Sequence, residues 1–122
     1  MTNVTPKFNF KKPEQKFNIN GQEYLVDLSD EALNKYQRVA VKYTDFADEA
    51  QEVDLVAMTD DEYEDFQKRS YEASKEVLDA LFGEGAFDEL YEASGQSMHN
   101  MAEVVKFMFD WLTTNKNFKA DK

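Results

Sequence analysis

The placement of glycine and proline constrains this chain more than any other feature of its sequence. Between Gln22 and Phe82 the chain contains neither residue. Both prolines, Pro6 and Pro13, lie in the first stretch, and the glycines stand at Gly21, Gly83, Gly85 and Gly95. Because glycine and proline are the residues that most often interrupt helices and mark turns, a long stretch without them favours long helices.

The composition restricts the class of protein. The chain has 122 residues, enough for one domain, and carries 25 acidic against 14 basic residues, a net charge of −11. That balance disfavours binding to nucleic-acid phosphates, which requires clustered basic side chains. With 42% apolar and 14% aromatic residues, we expect a folded chain rather than a disordered acidic tail. No segment resembles a signal peptide or a membrane span, so we expect a soluble, cytoplasmic protein without a membrane partner.

Residues 17–28 predict a β-hairpin. Apolar and polar residues alternate on either side of an Asn20–Gly21 pair. The apolar positions are Phe17 and Ile19 before the pair and Tyr24, Val26 and Leu28 after it. An Asn–Gly pair suits a type I′ turn, in which both central residues need positive φ. Since two strands alone are marginal in water, we expect the apolar face of the hairpin to pack against helices.

After the hairpin, apolar residues recur at spacings of three and four, which is typical of amphipathic helices. Ser29, Ser97 and a capping box formed by Thr59 and Glu62 mark helix starts. Gly83 follows the second helix as a C-terminal glycine commonly does. The predicted helices cover about residues 30–57, 60–82, 86–93 and 97–114.

We therefore predict a mainly α (α+β) fold, with an N-terminal β-hairpin followed by three main helices and one short helix. These elements form a single domain over residues 17–115, and residues 116–122 are predicted to be a polar tail. Residues 1–16 form a basic arm, which fits either a short added strand or a flexible segment. The basic residues of this arm are Lys7, Lys11, Lys12 and Lys16.

The most unusual feature of the sequence is a run of ten acidic residues from Asp45 to Asp65 with no basic residue among them. A calcium site is disfavoured, because the EF-hand order of ligands around a central glycine is missing. The run otherwise fits a mimic of duplex DNA, a docking face for a basic partner, or a solvated helix face with two acidic helix starts. The solvated face is favoured, since charged residues are the ordinary surface of a soluble helix.

Few residues in this chain are suited to catalysis or metal binding. There is no cysteine, and the single histidine, His99, has no second histidine or thiolate with which to hold a metal. No pair of carboxylates stands out as an acid–base pair. We therefore predict a protein that is not an enzyme, with no catalytic residues, no metal and no cofactor.

The last predicted helix is apolar on more than one face. Such a helix is either central in the core or half of an interface, and the sequence fits both interpretations. Aromatic residues and methionine are favoured where partners dock, and the same face is suited to self-association. The candidate partner-binding residues are Val104, Phe107, Met108, Phe109, Trp111 and Leu112.

Two segments carry a resemblance to a known family. The first is FNINGQEYLVDLSDEALNKYQ, in which the hairpin runs straight into a capped helix. The second is EVLDALFGEGAFDELYEASGQSMHNMAEVVKFM, with its Leu-Phe-Gly-Glu-Gly-Ala-Phe block. Together they resemble the small tail assembly chaperones of long-tailed phages and prophages of Gram-positive bacteria, over roughly residues 16–113.

The resemblance implies a protein of virion morphogenesis that works in the cytoplasm of the bacterial host and is absent from the mature virion. Such chaperones bind the tape measure protein, keep it soluble and recruit tail-tube subunits. The alternative is an acidic DNA mimic, or another small phage or prophage protein, that inhibits a host nucleic-acid-binding protein.

Overall fold

The computed structural model describes residues 4–116. Two strands are followed by four helices, as the sequence predicts, and the mainly helical α+β fold is confirmed. In chain order the elements are β1 (Glu14–Ile19), β2 (Gln22–Asp27), α1 (Asp30–Gln51), α2 (Asp60–Phe82), α3 (Ala86–Ala93) and α4 (Met98–Lys116).

Strands β1 and β2 pair antiparallel around the predicted turn. Asn20 and Gly21 have φ values of 55° and 88°, so both central residues adopt the positive φ that a type I′ turn requires. The turn fixes the register, in which Glu14 lies opposite Asp27. Strand β1 therefore begins three residues before the predicted hairpin, and residues 14–16 of the predicted arm belong to the sheet. Residues 4–13, which we call the N-terminal arm, form no regular element and are exposed throughout.

The predicted helix starts are confirmed. The hydroxyl oxygens of Ser29, Thr59 and Ser97 each accept a hydrogen bond from a backbone N–H in the first turn of their helix. Glu62 completes the capping box, because its carboxylate accepts from the backbone N–H of Thr59 at 2.9 Å. Caps of this kind satisfy N–H groups that have no partner within the helix.

Two predicted helix ends differ from the structure. Helix α1 ends at Gln51 rather than near residue 57. The carboxylate of Asp54 accepts hydrogen bonds from the backbone N–H groups of Val56 and Ala57, at 3.1 and 3.4 Å, and such local bonds compete with helix formation. Helix α4 extends to Lys116, two residues past its predicted end, and the rest of the predicted tail lies outside the described residues.

The core forms where the hairpin lies against the helices. All five predicted inward-facing residues of the hairpin are buried, as expected, and Val26 is fully buried. Helix α4 packs one row of apolar side chains, Met101, Val105, Met108 and Leu112, against the same core. The largest fully buried side chains are Phe87, Leu78, Met101, Met108, Leu112, Val26, Val77 and Val105.

Helices α1 and α2 extend beyond this core. Between Ala40 and Ser74 no side chain is buried. In this region the rings of Phe46 and Phe66 lie 5.6 Å apart, and the guanidinium of Arg69 lies 5.4 Å from the Phe46 ring centre. The C-terminal part of α1 (residues 41–51) and the N-terminal part of α2 (residues 60–73) therefore pack mainly against each other. We call these two parts the projecting helical pair.

Candidate functional site

Helix α4 carries two apolar stripes. The first faces the core and consists of Met101, Val105, Met108 and Leu112, all at most 1% exposed. The second consists of Val104, Phe107 and Trp111, again at spacings of three and four. Half of the Phe107 surface is exposed, at 50%, although phenylalanine is ordinarily among the most buried residues. The second stripe is therefore the part of α4 that faces both the hairpin and solvent.

Phe17 of β1 lies beneath the second stripe. Its ring centre is 5.0 Å from that of Trp111 and 6.2 Å from that of Phe107, and both pairs meet edge to face. This arrangement is favourable for aromatic rings, and it leaves Phe17 only 7% exposed. One side of Phe107 thus covers the core while the other is open to solvent.

The structure separates the six predicted partner-binding residues into three groups. Met108 and Leu112 are core residues with no exposed surface, so they are not part of any surface offered to a partner. Phe109 is half-buried against Tyr43 of α1, at 5.9 Å between ring centres. The remaining three, Val104, Phe107 and Trp111, lie together on one face of α4.

A groove continues this face toward the hairpin turn, and we call it the hairpin-tip groove. Its wider part has a volume of about 350 Å³, the size of a small ligand or a few side chains. It is lined by Ile19 and Asn20 from the hairpin, Leu90 and Ala93 from α3, and Glu103, Val104 and Phe107 from α4. Except for Val104 and Phe107, none of these residues was a predicted site residue, because only tertiary packing brings the turn beside α4. The one available signal was the Asn20–Gly21 turn, which marks an exposed hairpin tip.

Two tyrosines fix the hairpin that forms one wall of the groove. The Tyr24 hydroxyl donates a hydrogen bond to Oε1 of Glu89 at 3.0 Å, and burial together with that carboxylate raises the pKa of Tyr24 to about 12. The Tyr36 hydroxyl donates to the backbone carbonyl of Asp27 at 2.7 Å. Burial, and then the negative charge of Asp27, raises the pKa of Tyr36 to about 12. These contacts join the hairpin to α3 and α1.

The raised pKa values predict a loss of stability at high pH. In the unfolded chain tyrosine ionises near pH 10, so between about pH 10 and 12 unfolding releases protons that the native state retains. As the pH rises through this range, each tyrosine should lower the free energy of unfolding by at most about 1.4 kcal/mol per pH unit, with its full contribution present below pH 10. Urea unfolding at several pH values tests this, with Tyr24→Phe and Tyr36→Phe as controls that should each reduce the slope. A slope that is the same in both variants and the unchanged protein would contradict the prediction.

The ten acidic residues of the run from Asp45 to Asp65 are all exposed, and they lie on the projecting helical pair and its loop. Three of them, Asp60, Asp61 and Glu62, occupy the first turn of α2, where the helix dipole favours negative charge. Within residues 4–116, no group of three or more His, Cys, Asp or Glu side chains is arranged to hold a metal ion. No helix in this part of the chain has the length and apolar character needed to cross a bilayer.

Comparison of the chain with protein-family models, with curated proteins and with solved structures found no significant match. The resemblance to tail assembly chaperones therefore rests on the two sequence segments that carry it.

Proposed function

We propose that this protein is a tail assembly chaperone of a long-tailed phage or prophage. It binds the tape measure protein, keeps that long client soluble during tail morphogenesis and brings tail-tube subunits to it. The chaperone acts by binding rather than by catalysis, in the cytoplasm of the bacterial host, and it is absent from the mature virion.

The observation that best supports this proposal is the second apolar stripe of α4. Phe107 is half exposed beside Trp111, and the stripe leads through Val104 into the hairpin-tip groove. An amphipathic helix recognised by a groove inserts apolar side chains at helical spacing. A helical client can therefore pack one helical turn against α4 and insert a side chain between Phe107 and the β-hairpin loop.

The charge distribution supports the same proposal. The net charge is −11, and the exposed acidic run lies on the projecting helical pair rather than on the second stripe of α4. A complex with an apolar client then still presents a strongly negative surface, and like charges keep such complexes apart in solution.

Co-expression tests the proposed function. The tagged protein is expressed together with the tape measure protein of the same genome, and soluble and pelleted client are quantified. We expect the client to remain in the supernatant and to elute with the tagged protein, whereas the client alone should pellet. A client that pellets to the same extent with and without this protein would overturn the proposal.

A second candidate function is inhibition of a host nucleic-acid-binding protein by DNA mimicry. The observation in its favour is the exposure of all ten acidic residues on the projecting helical pair and its loop. This alternative predicts that inhibition of the host protein is lost when Asp60, Asp61, Glu64 and Asp65 are changed to their amides and is retained in Trp111→Ala. The chaperone proposal predicts that client binding responds in the opposite way to the same variants.

A further inference from the structure

The N-terminal arm combines exposed aromatic rings with positive charge. Phe8 and Phe10 are 77% and 90% exposed, and their ring centres lie 5.0 Å apart, edge to face. Lys7 directly precedes Phe8, and Lys11 and Lys12 directly follow Phe10. Exposed phenylalanines are unfavourable in water, so a segment of this composition is suited to a surface that is both apolar and acidic.

The projecting helical pair carries a surface of that kind. A groove near its tip has a volume of about 480 Å³ and an apolar floor formed by Val53, Met58 and Phe66. Four carboxylates and a single cation surround this floor, and we call the whole the acidic groove. The charged members are Glu49, Asp61, Glu62, Asp65 and Arg69.

The one cation of the acidic groove is already engaged. Arg69 forms an ion pair with Glu49 at 2.7 Å and lies over the Phe46 ring. The carboxylates of Asp61, Glu62 and Asp65 therefore dominate the charge that an incoming segment meets. A basic segment with aromatic side chains matches the groove in both charge and polarity.

We propose that the N-terminal arm of one copy of this chain docks in the acidic groove of a second copy. Phe8 and Phe10 cover the apolar floor, while Lys11 and Lys12 approach Asp61 and Asp65. Reciprocal exchange of two arms gives a closed dimer with two equivalent contacts.

The arm cannot reach the acidic groove of its own chain. Its end is fixed at the base of α1, because the carbonyl of Pro13 accepts a hydrogen bond from the backbone N–H of Leu28 at 2.6 Å. Helix α1 has 22 residues, so its C-terminal end, next to Val53, lies about 33 Å from that point. The five residues from Pro13 back to Phe8 span at most about 18 Å when fully extended. The phenylalanine rings therefore fall short of Val53 and Met58, so an arm that docks in this groove belongs to another copy.

Measuring the mass of the full chain in solution tests the proposal. Light scattering after size-exclusion chromatography, at protein concentrations up to about 100 μM, should give twice the monomer mass of 14.2 kDa. Phe8→Ser/Phe10→Ser and Lys11→Glu/Lys12→Glu should each weaken the dimer by about tenfold or more, and high salt should weaken it as well. Circular dichroism should remain unchanged, since the arm contributes no buried side chain.

Charge exchange between two copies provides the sharper test. Asp61→Lys/Asp65→Lys alone should remain monomeric, as should Lys11→Glu/Lys12→Glu alone, but a mixture of the two variants should form a dimer. Phe107→Asp is the matched control, because it alters the apolar face of α4 and should leave this dimer intact. The proposal would be overturned if the wild-type chain were monomeric at every concentration, or if the arm variants left the dimer unchanged. It would also be overturned if the mixture of the two charge variants stayed monomeric.

Discussion

Replacing Phe107 by aspartate is expected to abolish the capture of the proposed client, the tape measure protein. Phe107 is the most exposed aromatic residue of α4 and stands where the second stripe meets the hairpin-tip groove. A carboxylate there must lose its hydration when an apolar helix approaches, and no cation in the lining of this groove compensates for that loss. The fraction of client that co-elutes should fall by about tenfold or more, as expected for a central contact of an interface.

Tyr63→Asp is the matched control for this variant. Tyr63 is 44% exposed, close to the 50% of Phe107, but lies on the projecting helical pair. Both variants add one carboxylate in place of an exposed aromatic side chain, so they differ in position rather than in chemistry. Retained capture by Phe107→Asp, or equal loss in both variants, would contradict a client site on α4. Thermal unfolding should confirm that Phe107→Asp is folded, since that side chain also covers Phe17.

Replacing Val26 by aspartate is expected to unfold the protein. Val26 has no exposed surface and lies on the face of β2 that packs against the helices. A charged carboxylate at this position would be buried without a partner or would have to remain protonated, and either alternative is costly. We expect the free energy of unfolding to fall by at least about 3 kcal/mol, a large fraction of the stability of a small domain.

The neighbouring residue provides a control for that substitution. Leu25 is 53% exposed on the opposite face of the same strand, so Leu25→Asp should change the free energy of unfolding by less than about 0.5 kcal/mol. Urea unfolding followed by circular dichroism measures both variants. If the two variants were equally stable, or if Leu25→Asp were the less stable, the observed orientation of β2, with Val26 facing the helices, would be contradicted.

The local features of this fold are readable from the sequence because each has a short-range cause. The Asn20–Gly21 pair adopts the predicted positive φ values, and Ser29 and Thr59 cap the helices that they precede. Turn geometry, capping and periodicity depend on a few neighbouring residues, so the folded chain shows them as the sequence predicts.

Some features depend on competition between local hydrogen bonds and helix formation, or on tertiary packing. These features are harder to predict from the sequence. The residues after Gln51 include Val53 and Val56 and contain no glycine or proline, so the sequence gives little sign that α1 has ended. In the structure, backbone bonds to Asp54 replace the helix there, and no core lies nearby to stabilise further turns. The start of β1 at Glu14 follows from the turn register rather than from any apolar alternation.

The candidate site shows the same division. Its apolar excess on α4 was visible in the sequence, and the structure places Val104, Phe107 and Trp111 on one face. The burial of Met108 and Leu112 depends on which of the apolar stripes packs against the core, and both stripes have the same helical spacing. The contribution of Ile19 and Asn20 to the groove depends on contacts between segments far apart in the chain.

Hydrogen–deuterium exchange of the protein with and without the tape measure protein tests the proposed client site on α4. Exchange of backbone amides reports which segments become protected when a partner binds. We expect new protection in residues 100–111 of α4 and at the hairpin turn around Asn20, with little change in residues 45–65. Protection confined to residues 45–65, with α4 exchanging as in the free protein, would contradict the proposed client site on α4. It would favour a partner that binds the acidic residues of the projecting helical pair.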